Sequence, residues 1–394
     1  MEETKQSNLN LNKFGRLIGL VLILGLLTGM SIYKRHQTIG KAEYSVGVNT
    51  IRGNDVQTNF NSHLIGKDGQ PIFWFNYIGS SGGSGVVDAS IGLDSMQRTE
   101  GTWEIPAGFK LMWLSMYEGQ GQGQFFELEG WLPYTEIKES FDEKIFKLFY
   151  NSEHRALSND RNYEHLVFLI APKGKVYVYV SGYEAKLLGV YQGKPIDYDW
   201  WQWKLDTATN KEEYQALKQG EHSYKTIGGT HIDIDDREAF IQAFRRPEDF
   251  EIMKQMPLYY HEGFFNPVQW TFKISGRNAK LLAYESQMLN GEVRIVHKPK
   301  EQTTPLHAIP VTLMIDFLVE DQAYRYFINL SGNESSLGGK HSTELYQFWQ
   351  DNFDTSQPVE IEVELFADDT LNVWYKQGDK KLLSEVVDVT EVDR

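Results

Sequence analysis

Phe109-Lys110-Leu111-Met112-Trp113-Leu114-Ser115-Met116-Tyr117-Glu118 is an apolar run that stops at Gly119-Gln120-Gly121-Gln122-Gly123 and resumes at Phe125-Phe126. Apolar runs broken at short intervals by turn residues are the pattern of antiparallel sheets. The same punctuation recurs on either side, at Gly79-Ser80-Ser81-Gly82-Gly83-Ser84-Gly85 and at Pro172-Lys173-Gly174. From Tyr44 onward (YSVGVNTI) the chain is strand-like with period-two patterning. An aromatic content of 13%, with Trp 10, Tyr 21 and Phe 22, points the same way, because flat rings pack well on a pleated surface. The expected class is therefore mainly β (α+β). The clearest helix is predicted over Tyr134 to Tyr150, with Ile137, Phe141, Ile145, Leu148 and Phe149 on one stripe. A shorter one is predicted from Arg237 to Arg245, with Asp235 or Asp236 as its cap and Pro247 just beyond its end.

The chain also resembles itself. Pro71-Ile72-Phe73-Trp74 matches Pro267-Val268-Gln269-Trp270, and Phe109-Lys110-Leu111-Met112 matches Val311-Thr312-Leu313-Met314. Ile145-Phe146-Lys147-Leu148-Phe149 matches Leu345-Tyr346-Gln347-Phe348-Trp349, read as a helix in both places. Val176-Tyr177-Val178 and Lys186-Leu187-Leu188 match Leu371-Asn372-Val373 and Lys381-Leu382-Leu383. Blocks repeated in order at a near-constant offset indicate a duplicated domain. The expected organisation is a tail (1–14), a transmembrane helix (15–33), a linker (34–43), a β-rich domain (44–210), a polar linker (211–229) and a second β-rich domain (230–394). Each domain is expected to be an antiparallel sheet carrying one principal helix.

A length of 394 residues, 41% of them hydrophobic, can bury sizeable cores, and the absence of cysteine leaves packing alone to stabilise them. Disulfides, zinc-thiolate sites and cysteine nucleophiles are excluded. Residues 1–41 carry six basic groups against Glu2 and Glu3, a charge of +4, so the formal −15 of the whole leaves −15 − 4 = −19 for the remainder. A chain of that charge is a poor partner for nucleic acid or for anionic lipid.

Leu17 to Tyr33 (LIGLVLILGLLTGMSIY) holds no charged residue and, with Gly15 and Arg16, approaches the ~20 residues that span a bilayer as a helix. Lys34 and Arg35 flank its far end. No A-x-A cleavage site follows, so an uncleaved anchor in the lipid bilayer through residues 15–33 is expected. Leu27-Thr28-Gly29-Met30 resembles the end of a lipoprotein signal with Met30 in place of the lipid-bearing Cys. Three basic residues lie on each side of the segment, so charge does not decide its orientation. The lipoprotein-like ending favours a cytoplasmic N-terminus with the C-terminal bulk in the periplasm.

Ile105-Pro106-Ala107-Gly108 leading into Phe109–Glu118 and Phe125-Phe126, and Leu166 through Ala171-Pro172-Lys173-Gly174-Lys175-Val176-Tyr177-Val178, together resemble the bacterial envelope family catalogued as domain of unknown function 2931. The resemblance covers residues 44–205, with a weaker echo in the second half. It implies an envelope location. Because some members sit beside secreted lipase-type toxins, it also implies an immunity role with such a toxin as protein partner.

Motifs for chemistry are sparse. Gly79-Ser80-Ser81-Gly82-Gly83 satisfies G-x-S-x-G, yet the following VVDASIGL reads as a strand where a nucleophile elbow needs a helix. Asp233-Ile234-Asp235-Asp236 lacks the glycine and distal glutamate of a calcium loop. His231 with Asp233, and His261 with Glu262, are not at helical metal-ligand spacing. No catalytic residue, cofactor or metal is expected. Tyr198-Asp199-Trp200-Trp201-Gln202-Trp203-Lys204 is the candidate partner-binding stretch, since Trp and Tyr dominate binding hot spots. Read as a strand, it places Trp201 and Trp203 on one face and Trp200 on the other. The expectation is a membrane-anchored envelope binding or inhibitor protein, ahead of a structural component of the envelope and of an enzyme of unrecognised type.

Overall fold

The computed structural model describes residues 40–391 except 52–53, 76–77, 80–101, 117, 120–121, 151–155, 209–210, 220–223, 228–229, 234–235, 245–259, 298–306, 321, 332–339, 368–369 and 385–387. The predicted tail and membrane segment thus lie outside the described residues, as does Ser81. Among the described residues no helix is long and apolar enough to cross a membrane. The fold is mainly β, with several sheets and few helices.

In the first half, β1 (Ser45–Thr50), β2 (His63–Ile65), β3 (Pro71–Trp74), β4 (Gly108–Ser115) and β5 (Gln124–Trp131) precede helix α1 (Tyr134–Asp142). After it come β6 (His165–Ala171), β7 (Lys175–Ser181), β8 (Ala185–Gln192) and β9 (Lys194–Ile196). Three more helices follow, α2 (Trp200–Asp206), α3 (Lys211–Lys218) and α4 (Arg237–Phe244). The second half comprises β10 (Trp270–Ser275), β11 (Lys280–Met288), β12 (Val293–His297), β13 (Pro310–Val319), β14 (Gln322–Asn329), α5 (Lys340–Asn352), β15 (Val359–Leu365), β16 (Leu371–Gln377), β17 (Lys380–Leu383) and β18 (Asp388–Glu391).

Both halves use one strand order. β1-β6-β7-β8 form one sheet of the first half, and β10-β15-β16-β17 the matching sheet of the second. In each the opening strand pairs in parallel with the strand that follows the helix, β1 with β6 and β10 with β15. The facing sheets run β9-β5-β4-β2-β3 and β18-β14-β13-β11-β12, and in the first Val56–Thr58 also pairs with β4 and carries Ile78–Gly79 on its far side. Alternation aims Phe109, Leu111 and Trp113 of β4 at Phe168, Val176 and Val178 in one core. Val311, Leu313, Ile315 and Phe317 of β13 meet Ile361, Val363 and Tyr375 in the other.

Two of the sequence blocks fall on equivalent strands, Phe109–Met112 with Val311–Met314 on β4 and β13, and the blocks around Val176 and Lys186 on β7, β8 and their counterparts β16, β17. Two blocks need correction. Pro71–Trp74 is β3, whereas Trp270 opens β10, whose counterpart is β1. Ile145–Phe149 belongs to a strand, Lys144–Tyr150, and the predicted helix ends at Asp142, with Glu143 already extended. Seven cross-strand pairs with Ala156–Asn162 take up the backbone of that aromatic-rich segment, which suits a ribbon better than a helix. The helix equivalent to α5 is α1. Ile137 and Phe141 pack into the first core at the same four-residue spacing as Leu345 and Trp349 in the second.

The described residues of the stretch expected as a linker form a helix and a strand. α3 buries Leu217, and Tyr224–Ile227 pairs with Thr230–Asp233 as a hairpin. α4 runs Arg237–Phe244 as expected, and Asp236 Oδ1 accepts from the backbone N–H groups of Glu238 and Ala239. The two halves also share a sheet, because a bridge between Ala185 and Val293 joins β8 to β12. Around that seam Tyr179 Oη donates to the Asn290 carbonyl at 2.5 Å, and Phe265 stacks on Tyr177 with ring centroids 3.6 Å apart. Glu184 accepts from Ile295 N–H at 2.7 Å and from Tyr163 Oη at 3.0 Å.

Burial holds the Glu184 carboxyl above the usual carboxylate range, against the pull of those two donors and of Arg294. The folded state therefore binds this proton more tightly than the unfolded chain. Its stabilising contribution is complete below the unfolded pKa, about 4.3, and is lost as pH rises through the raised value. Glu184→Gln should flatten that loss. The melting temperature of the variant relative to wild type is expected to climb from pH 4 to pH 7; parallel melting curves would show that the seam does not feel this carboxyl.

Candidate functional site

The Trp200–Trp203 stretch is a helix, not the strand expected, and its three indoles point three ways. Asp199 caps α2 by accepting from Gln202 N–H at 2.7 Å, and Tyr198 Oη donates to Asp206 at 2.6 Å. This local capping, together with docking onto the neighbouring sheet, outweighs the strand preference of aromatic residues. Trp203 is fully buried, with its Nε1–H toward Gln57 Oε1 at 3.3 Å. Trp200 is half-buried with its ring 5.2 Å from that of Phe240. Of the three, Trp201 alone is exposed, at 40%, with Lys204 Nζ 4.3 Å from its ring centre.

The helices α2, α3 and α4 serve as a cover. Met112 and Leu114 of β4 and Phe125 of β5 point away from the sandwich core, and Trp203, Leu217, Phe240 and Ile241 close over them. The cover reaches only half of that face. On the other half, alternation brings Trp74, His63, Lys110 and Glu129 into one cross-strand row over β3, β2, β4 and β5, with Gly108 and Trp131 in the next row. Trp131 is 66% exposed and Trp74 51% exposed.

The Trp131 indole is laid down on the sheet. A Cβ on Gly108 would stand 3.1 Å from its Cε3 and 2.9 Å from the Gly130 carbonyl, so the missing side chain is what lets the ring lie across β4. Aromatic cover of a strand glycine in this way is a known sheet device. Tyr191 Oη donates to the Trp131 carbonyl at 2.9 Å and fixes its backbone. The six-membered ring of the indole thus lies near Gly108 while most of the side chain stays exposed. Trp74 lies beside His63 with ring centroids 6.5 Å apart. Burial and the nearby Lys110 hold the His63 imidazole below its usual value, opposed by the Asn61 carbonyl and Glu129, so it is neutral at pH 7. Lys110 pairs with Glu127 at 3.0 Å.

The other candidates have structural employment. His261 Nδ1 accepts from Gly263 N–H at 3.0 Å, and Glu262 pairs with Lys175 at 2.9 Å. His231 and Asp233 lie in a strand whose side chains fall outside the described residues. Among the described residues no group of three or more His, Asp or Glu is placed to hold a metal ion. Ser45 Oγ and His165 Nδ1 are 2.6 Å apart, side by side on parallel strands. The nitrogen facing the hydroxyl is Nδ1, which in a serine hydrolase triad faces the orienting carboxylate instead.

Trp74 and Trp131 were not singled out by motif. The signal available was alternation: Phe126 and Leu128 face the core, so Trp131 shares the opposite face with Glu127 and Glu129. Comparison with protein families, with curated proteins and with solved structures found no match to the chain.

The stacking of Trp131 on Gly108 has a direct signature. Ring current should move the Gly108 α-protons upfield, and Trp131→Ala should return them to ordinary values in a spectrum of glycine-labelled protein. Gly108 protons unmoved by that substitution would mean that the ring stands elsewhere.

Proposed function

We propose that the chain is a membrane-tethered binding protein of the bacterial envelope, built from two copies of one β-sandwich module and making or breaking no bonds. The observation that carries the reading is the half-covered face of the first module. There, exposed indoles stand among ionisable side chains on a rigid sheet, the usual makings of a recognition surface. The uncharged run 17–33 supports the tether and the lipoprotein-like Leu27–Met30 supports a periplasmic position for the bulk. The common strand order of the two halves supports the duplication.

A photocrosslinking amino acid placed at position 129 in the full chain, in cells, tests this reading. Adducts at position 129 that are missing when the same group replaces Leu383, which is exposed in the second half, are expected. Equal or absent adducts would remove the face as a binding site. The charge of −19 beyond residue 41 favours a second reading, an inhibitor of a basic secreted toxin. Adducts consisting of such a toxin would identify it.

A further inference from the structure

The composition of the open half-face restricts what it can hold. Trp74 and Trp131 stand at opposite ends of it, three strand spacings or about 14 Å apart across the sheet. Between them run His63, Lys110 and Glu129, so the indoles do not merge into the continuous, desolvated cluster that anchors protein partners. Charge restricts it further. His63 is held below its usual value, Lys110 pairs with Glu127 and stands opposite Glu129, and Lys194 of β9 stands opposite Glu127. The face is close to neutral on a chain of net charge −15, which opposes anionic polymers.

A pyranose ring meets these conditions. One of its faces is a patch of C–H bonds, whose partial positive charge and polarisability suit the negative face of an indole. Its rim is a circle of hydroxyls, each able to donate to a carboxylate and accept from an ammonium or imidazole. A polymer of such rings offers stacking faces at intervals with hydroxyls between them. The row offers indole, imidazole, ammonium and carboxylate, and the second indole, Trp131, stands one row along on the strand of Glu129. Trp131 is well placed for this use, because it approaches the sheet at Gly108 through Cε3 and Cζ3 and leaves most of its surface exposed for a ring to stack on.

We infer that the open half-face of β2–β5 binds an uncharged polysaccharide strand, with Trp131 and Trp74 as stacking platforms and Lys110 and Glu129 as hydroxyl partners between them. This deepens the binding reading above and rests on it.

Titration calorimetry on the detergent-solubilised full chain, with hexasaccharides of β-1,4-linked glucose and of β-1,4-linked N-acetylglucosamine as probes, tests the inference. At least one probe should bind. Trp131→Ala and Trp74→Ala should each weaken it about tenfold or more, the two together should abolish it, and Leu383→Ala should leave it unchanged. Gly108→Ala, whose Cβ would crowd both the Gly130 carbonyl and the Trp131 ring, should also weaken binding. Neither probe binding at millimolar concentration to folded protein, or affinity surviving in the double variant, overturns the inference. If the sugars fail while position 129 crosslinks to a protein, the ligand class is wrong and the binding reading stands; if both fail, both fall.

Discussion

The first half is organised by strands that are apolar on both faces. β4 sends Phe109, Leu111 and Trp113 into the sandwich, and Met112 and Leu114 out of it. Facing sheets can cover only the first set, and each large side chain left in water forfeits about 1.5–3 kcal/mol of burial. The chain answers with α2, α3 and α4, which follow the first half and close over Met112, Leu114 and Phe125. β13, the equivalent strand, mixes polar and apolar side chains on that face. Opposite its core residues it carries buried Thr312 and Asp316 alongside half-buried Met314 and Leu318, and Asp316 is held in a bidentate pair by Arg325 at 2.6 and 2.8 Å.

The other pair of equivalent sheets diverges in the same way. In β7 the outward residues Tyr177 and Tyr179 are buried under Tyr260 and Phe265, where the chain enters the second half. In β16 the outward residues are Asn372, Trp374 and Lys376, and the face is a ladder of charged pairs. Lys376 pairs with Glu360 and Glu362, Trp374 Nε1–H donates to Glu364 at 2.8 Å, and Lys381 Nζ sits 4.0 Å from the Trp374 ring centre. Two halves that share a strand order thus differ in what covers them. The difference lies in outward positions, which topology leaves free to vary.

That distinction also explains what could be read from the sequence. The apolar runs of β4 and β13 and the turns between strands were legible, as was the mainly β class. Helix α4 was legible because Asp236 marks its start through a local hydrogen bond. Lys144–Tyr150 was not, because short apolar runs suit either structure and its strand partner, Ala156–Asn162, is polar. Trp200–Trp203 misled for a related reason, since capping by Asp199 is visible locally but the sheet face that receives Trp203 is not. The open half-face is legible only once the cover over its other half has been located, because exposure is a property of what lies above a residue.

The account depends on which indoles that cover protects. Hydroxyl-radical footprinting of the full chain, read residue by residue, measures this directly. Heavy labelling of Trp131 and Trp74 with protection of Trp113, Trp203, Trp270 and Trp349 is the predicted outcome. Protection of Trp131 and Trp74 equal to that of the buried four would contradict it.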